Sequence, residues 1–265
     1  MTEQAESAES TIEFTIVDHV ATVSFNRPER LNAVTTPMFG RLLEIFDEIN
    51  DSADVRCVVL RGNGRAFCSG ADQKERPGMS IEDIRRRRRL TPQAFSAMRS
   101  CVYPVIAQVH GYALGGGMEL ALGCDFIIAA EDTVMGLIES ARGSMPAGGG
   151  TQLLPRLVGA ARAKEIIFTA RKFTAREALG WGMVNYAVPA DELDAKVAEI
   201  VAEIVAVAPI SNVQSKRAVN MSLDVDVVNG IQIEAALYER TLTTADRVEA
   251  MTSAREKRPP VFRGQ

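Results

Sequence analysis

The stretch Pro104-Val105-Ile106-Ala107-Gln108-Val109, followed by His110-Gly111-Tyr112-Ala113-Leu114-Gly115-Gly116-Gly117-Met118-Glu119-Leu120-Ala121-Leu122 and then Phe126-Ile127-Ile128-Ala129-Ala130, decides how this chain folds. Two short apolar runs enclose a glycine-rich turn and a helix-forming segment. Short, nearly continuous apolar runs fit strands buried on both faces, and a helix between them makes the connection a crossover. The class is α/β with a mixed or parallel sheet. The glycines also carry chemistry. A glycine run leading into Met118-Glu119-Leu120 lets bare backbone N–H groups face a ligand at a helix N-terminus, where unpaired donors and the positive end of the dipole favour an anion.

Upstream, Phe67-Cys68-Ser69-Gly70-Ala71-Asp72 forms a tight turn after the apolar strand Cys57-Val58-Val59-Leu60 and offers a second backbone donor. Downstream, Glu139 precedes a further glycine cluster, Gly148-Gly149-Gly150. Two donors and two carboxylates, Glu119 and Glu139, make a site for polarising a carbonyl. Farther out, Ile12–Val17 and Val20–Phe25 alternate around Asp18-His19 and read as a hairpin. Residues 35–50 repeat apolar positions at helical spacing after Thr35-Thr36-Pro37, and a buried strand follows over residues 55–61. Beyond residue 190 only helices are predicted, over residues 191–208, 210–223, 227–241 and 245–257. The run Arg85-Arg86-Arg87-Arg88-Arg89 interrupts a polar helix begun at Met79-Ser80-Ile81-Glu82-Asp83. Five consecutive residues point all the way round a helix. Some of these arginines therefore meet acidic partners, or one of them meets a carboxylate on a ligand.

The chain has 265 residues, 46% of them hydrophobic, with a formal net charge of -4, which argues against a general nucleic-acid binder. Four widely spaced cysteines, Cys57, Cys68, Cys101 and Cys124, form no zinc or disulfide framework and suggest a reducing compartment. With only His19 and His110 present, neither a histidine metal site nor a Ser-His-Asp relay is expected. Cys68 lacks an activating base and reads as structural, as does His110. Residues 1–10, with three glutamates and no cation, read as a disordered tail rather than a leader. No uninterrupted apolar span suits a membrane, so the expectation is a soluble, cytoplasmic protein. Gly62-Asn63-Gly64 lacks the third glycine of a dinucleotide fingerprint, and no phosphate-binding loop occurs.

Four motifs in this order, Asn26-Arg27-Pro28, Phe67 to Asp72, His110 to Leu120 and Pro146-Ala147-Gly148-Gly149-Gly150-Thr151-Gln152, resemble the enoyl-CoA hydratase (crotonase) family from about residue 13 to the C-terminus. Gly136-Leu137-Ile138-Glu139, residues 163–168 and Glu256-Lys257-Arg258-Pro259-Pro260 are similar to 3-methylglutaconyl-CoA hydratases within it. The resemblance implies a crotonase-like β-β-α superhelical core over residues 11–190, carrying the acyl-CoA site, and a helical region over residues 191–265 for assembly into homotrimers or homohexamers. It implies an oxyanion hole made by the N–H groups of Ala71 and Gly116. It gives Glu119 the activation of water and Glu139 the protonation of Cα. It implies a CoA surface of Arg30, Leu31, Ala71, Asp72, Gln73 and Lys74.

The activity so implied is syn hydration of a 2-enoyl-CoA in lipid metabolism, with no metal and no cofactor beyond the substrate's own CoA. A crotonase-fold isomerase using one glutamate is the alternative. Some related hydratases bind AU-rich RNA through lysine-rich helices, but here the corresponding residues 39–50 are net acidic, and no RNA binding is expected.

Overall fold

Asp18 and His19 both adopt left-handed backbone, φ 49° and 69°, a pair that suits a two-residue hairpin turn. In the computed structural model, which describes residues 11–265, they join Ile12–Val17 (β1) to Val20–Phe25 (β2) in antiparallel register, Val17 opposite Val20. The predicted disordered tail, residues 1–10, lies outside the described residues. The chain continues through Thr36–Asp51 (α1), Cys57–Gly62 (β3), Ile81–Arg99 (α2), Val105–Val109 (β4), Tyr112–Leu114 (β5), Gly116–Gly123 (α3) and Phe126–Ala130 (β6). Then come Val134–Gly136 (β7), Gly150–Thr169 (α4), Phe173–Thr174 (β8), Ala175–Gly180 (α5), Tyr186–Val188 (β9) and four helices, Leu193–Ala206 (α6), Pro209–Met221 (α7), Val227–Leu242 (α8) and Ala245–Glu256 (α9).

The larger sheet has the order β1-β2-β3-β4-β6-β9, parallel from β2 onward, as the apolar runs require. Its central strands bury both faces by strict alternation. Val58, Leu60, Val105, Ala107, Ile127 and Ala129 join the main core, while Cys57, Val59, Ile106, Ile128 and Ala130 face α6 through Leu193, Val197 and Ile200. A second sheet, β5-β7-β8, is built of strands only two or three residues long. Such strands are too short to show a period in sequence, and it was not predicted.

The arginine run does not interrupt its helix. α2 is continuous over 19 residues. Ser80 Oγ accepts from Asp83 N (3.1 Å) while the Asp83 carboxylate accepts from Ser80 N (3.0 Å), a reciprocal cap that starts it. Arginine is itself a good helix former, and Ala94, Phe95 and Met98 anchor the far end in the core. Among the described residues no helix is long and apolar enough to cross a membrane.

Candidate active site

After β3 the chain does not turn away but runs beside β5. Phe67 N donates to His110 O (2.9 Å), Cys68 N to Tyr112 O (2.9 Å) and Leu114 N to Cys68 O (3.1 Å). This pairing brings the turn at Gly70-Ala71 against the start of α3. The approach is too close for side chains: a Cβ on Gly117 would lie 2.1 Å from Cys68 O, and one on Gly70 (φ 100°) 2.6 Å from Leu114 O. On its other side the turn pairs with Val34, which donates to Gly70 O (2.8 Å) and accepts from Asp72 N (3.0 Å). Residue directions alternate along an extended segment, so the Ala71 N–H points away from Val34, toward Gly116. A Cβ on Gly116 would stand 3.9 Å from Ala71 N. The Gly116 N–H belongs to the first turn of α3, where backbone donors have no partner within the helix.

Glu119, one turn into α3, is 4% exposed. Its Oε1 accepts from Gly148 N (2.7 Å) and Gly150 N (2.9 Å) at the start of α4. Phe95 of α2 closes over this arrangement: a Cβ on Gly148 would lie 2.6 Å from Phe95 Cζ and 3.0 Å from Glu119 Oε2. Burial pushes the Glu119 carboxyl up to about 7, the charge of Glu139 adds to the rise, and the amides of Gly148 and Gly150 oppose it. Glu139 arrives by the second sheet. Gly115 N donates to Gly136 O (2.8 Å) beside the parallel β5–β7 pair, and the 3₁₀ turn Glu139–Arg142 then sets the Glu139 carboxylate against Gly115. Gly115, φ 53° and ψ -125°, occupies backbone space open only to glycine, and a Cβ there would meet Glu139 Oε1 at 3.0 Å.

Ala71, Gln73, Gly116, Glu119 and Glu139 thus line one cavity of about 660 Å³, whose remaining wall comes largely from α2 and residues 142–148. Arg30, Leu31, Asp72 and Lys74 do not line it. Through their backbone carbonyls Leu31 and Arg30 also hold the turn: Leu31 O accepts from Ser69 N (2.9 Å) and Arg30 O from Ser69 Oγ (3.5 Å). Asp72 is buried. Burial alone would raise its pKa, but hydrogen bonds from Arg27 Nη1 (2.9 Å) and Lys74 N (2.8 Å) hold it below the usual carboxylate range. Arg27 of the Asn26-Arg27-Pro28 motif is therefore a brace for the Ala71 turn, while Asn26 pairs with Glu13 and Asn63. Lys74 lines a smaller cavity of about 370 Å³ with Thr36, Glu75 and Arg86.

The sequence reading missed the groups that surround these residues. Arg87 ion-pairs with Glu75 and lies 5.4 Å from the Phe39 ring centroid, tying α2 to α1. Asn32, fully buried, donates to Ala66 O (2.7 Å) and Asn63 O (2.9 Å) and so fixes the loop after β3. The one available signal for the α2 wall was the helical spacing of Ile84, Arg88, Thr91 and Phe95. Cys68 is fully buried, and burial pushes its thiol up to about 12, so it is no nucleophile at neutral pH. His110 Nε2 lies 2.8 Å from Gly64 O, a structural contact.

A family model described as enoyl-CoA hydratase/isomerase matches residues 15–265. A putative enoyl-CoA hydratase/isomerase of Bacillus subtilis is 41% identical over 248 residues, covering 93% of this chain and 95% of the relative. The mitochondrial methylglutaconyl-CoA hydratase of Homo sapiens is 35% identical over 251 residues, covering 93% of this chain and 74% of the relative. The crystal structure of an enoyl-CoA hydratase from Bacillus anthracis superposes with a TM-score of 0.93 at 40% identity, covering 96% of this chain and all of the other.

Proposed function

Because the chain belongs to the enoyl-CoA hydratase/isomerase family, we propose that it is a hydratase, adding water across the 2,3-double bond of a 2-enoyl-CoA thioester. The observation that carries this reading is the pair of carboxylates, Glu119 and Glu139, lining one cavity with Ala71 and Gly116. Hydration needs one group to take a proton from water and another to deliver one to Cα. The thioester oxygen sits between the two N–H groups. Glu119, whose raised pKa makes it a stronger base than an ordinary carboxylate, removes a proton as the water oxygen bonds to Cβ. The π electrons move toward the thioester oxygen, where the two donors stabilise the charge, and Glu139 returns a proton to Cα on the same face. Glu139 enters as the acid and Glu119 ends as the acid, the proton passing back between them before the next turnover, so that one water supplies the added hydroxyl and hydrogen, no electrons are gained or lost, and the step calls for no redox cofactor.

For the acyl group, 3-methylglutaconyl-CoA and short unbranched enoyl-CoA thioesters are the candidates. The proposed assembly is a homotrimer or a pair of them, supported by the apolar side chains of Val219, Val227, Val228 and Ile231 left exposed on α7 and α8. The proposed compartment is the cytoplasm, which rests on four cysteines that are free and buried.

Loss of enoyl absorbance with crotonyl-CoA and 3-methylglutaconyl-CoA in parallel, for wild type, Glu119→Gln and Glu139→Gln, tests the reading. Turnover by wild type and its loss in both variants is the expected result. An absorbance change without solvent oxygen in the product would assign the isomerase chemistry instead.

A further inference from the structure

One amide of the turn that follows β3 is left over. Phe67 N and Cys68 N donate to the carbonyls of His110 and Tyr112, Ser69 N to Leu31 O (2.9 Å), Gly70 N to Cys68 Sγ (3.4 Å) and Asp72 N to Val34 O (3.0 Å). Among the described residues, the Ala71 N–H alone in residues 67–72 has no protein acceptor. Buried or half-buried backbone donors are nearly always paired, so a single unpaired amide at a cavity wall, in a stretch where every neighbour is satisfied, is kept for a ligand.

The direction of that N–H depends on Gly70. A glycine at φ 100° has wide backbone freedom, and two hydrogen bonds, one on each side of its Cα, restrict it. Val34 N holds the Gly70 carbonyl (2.8 Å), and because the peptide is planar and trans the Ala71 N–H points the opposite way. Cys68 Sγ holds the Gly70 N–H. A side-chain acceptor bonded to the amide two residues on is the arrangement of a serine or threonine turn, here with sulfur in place of the hydroxyl oxygen. The sulfur has little room to move. Cys68 is fully buried, its own N–H and C=O are tied to β5, and a Cβ on Gly117 would lie 2.9 Å from Cys68 Cβ.

We infer that Cys68 is a positioning residue for the oxyanion: its sulfur, by accepting from Gly70, fixes the backbone that aims the Ala71 N–H at the thioester oxygen. This deepens the hydratase reading above and rests on it. The thiol is neither nucleophile, acid nor base; it acts through Gly70, as a neutral acceptor.

Infrared difference spectra of bound butanoyl-CoA, isotopically labelled at the thioester carbonyl, test the inference without turnover. A carbonyl held by two amides absorbs below the free thioester, and that downshift is the expected wild-type result. Cys68→Ala removes the acceptor and is expected to lose a clear part of the downshift, with kcat for the enoyl thioester that wild type hydrates lowered about tenfold or more, KM changed less and affinity for free CoA retained. Cys68→Ser keeps an acceptor for the same amide and is expected to recover most of both signals. A wild-type band and kcat in Cys68→Ala overturn the inference. A fall in kcat with the band unmoved, or equal losses in the alanine and serine variants, also overturns it and assigns Cys68 to packing. A parallel loss of free-CoA affinity overturns it as well, assigning the residue to the fold as a whole. A wild-type band at the position of the free thioester would sink the oxyanion reading itself, whereas a downshift indifferent to Cys68 sinks the positioning inference alone.

Discussion

The two walls of the cavity are made of different material. The inner wall, around Ala71, Gly116 and Glu119, is backbone: strand-like pairing of residues 66–71 with 110–115, glycines in contact with carbonyls, and amides of Gly148 and Gly150 aimed at one carboxylate oxygen. The outer wall on α2 is side chains: arginines, Thr91 and Phe95 on a helix exposed along most of its first three turns. Backbone held on both sides cannot yield by rotamer change, so the inner wall keeps donors and acceptors in place as charge develops. Side chains on a helix can be exchanged without disturbing a hydrogen-bond ladder. The proposed reaction therefore falls on the wall that is costly to change, and the wall that is not is the one free to vary with the acyl group.

The comparison is broken most severely by removing a carboxylate. Glu119→Gln and Glu139→Gln should each lower kcat by about 10²- to 10⁴-fold, the range for losing a proton-transfer group. Steady-state absorbance measurements read this directly, and a variant retaining a third of wild-type turnover would remove that residue from the proton-transfer step. Next in size is a methyl group on the inner wall. Gly117→Ala drives a Cβ against the Cys68 carbonyl at 2.1 Å, where only backbone can move, and should cost about 3 kcal/mol or more in denaturant unfolding. Gly78→Ala, on the exposed approach to α2 and outside this cavity, meets nothing within 4 Å and should stay within about 0.5 kcal/mol of wild type. Similar costs at the two glycines would show that close backbone contact is not what makes the inner wall costly to change.

Protonation sharpens the same contrast. With the Glu119 pKa raised from 4.5 to about 7 and the ionised form required as base, kcat/KM should fall as pH drops through about 7. In Glu139→Gln the added charge is gone, so a residual rate should show that limb at lower pH. The stability consequence has the opposite sign. A carboxyl whose folded pKa lies above its unfolded value contributes fully below pH 4.5 and loses that contribution as pH rises through about 7. Glu119→Gln should therefore be more stable than wild type at pH 8, by up to about 3 kcal/mol, with the advantage vanishing near pH 4. Thermal unfolding at the two pH values measures it, and an advantage independent of pH would place its origin in packing.

A moderate effect is expected at the brace of the outer wall. Arg87→Met leaves Glu75 half-buried without its cation and should cost about 1 to 2 kcal/mol of stability, raising KM more than it lowers kcat. A kcat loss as large as that of the glutamate variants would show that the outer wall takes part in the chemistry after all.

What was legible in the sequence was whatever a few neighbouring residues decide. Cys57-Val58-Val59-Leu60 and Phe126-Ile127-Ile128-Ala129-Ala130 announce strands buried on both faces, and they are parallel neighbours of β4. Asp18-His19 announced the hairpin, and the glycines before Met118-Glu119 announced a helix start with free donors. The ends of α6 to α9 fall within two residues of those expected, because apolar spacing marks each of them. The surroundings of the residues proposed for CoA were less legible. Asp72 and Arg30 look like exposed polar residues in the sequence, yet Asp72 is spent on Arg27, 45 positions away.

The amino-acid sequence by itself determined a parallel α/β sheet, a glycine-opened helix carrying Glu119 and a second carboxylate within reach, because apolar period and glycine placement act over a turn or a strand. Only the tertiary structure decided that the Ala71 and Gly116 amides stand side by side, that Gly148, Gly150 and Phe95 enclose Glu119 and set its proton affinity, and that Arg87 and Arg88, of five identical arginines, face the cavity. Each of these depends on distances between segments tens of residues apart, which are fixed by the packing of sheets and helices and leave no local period to read.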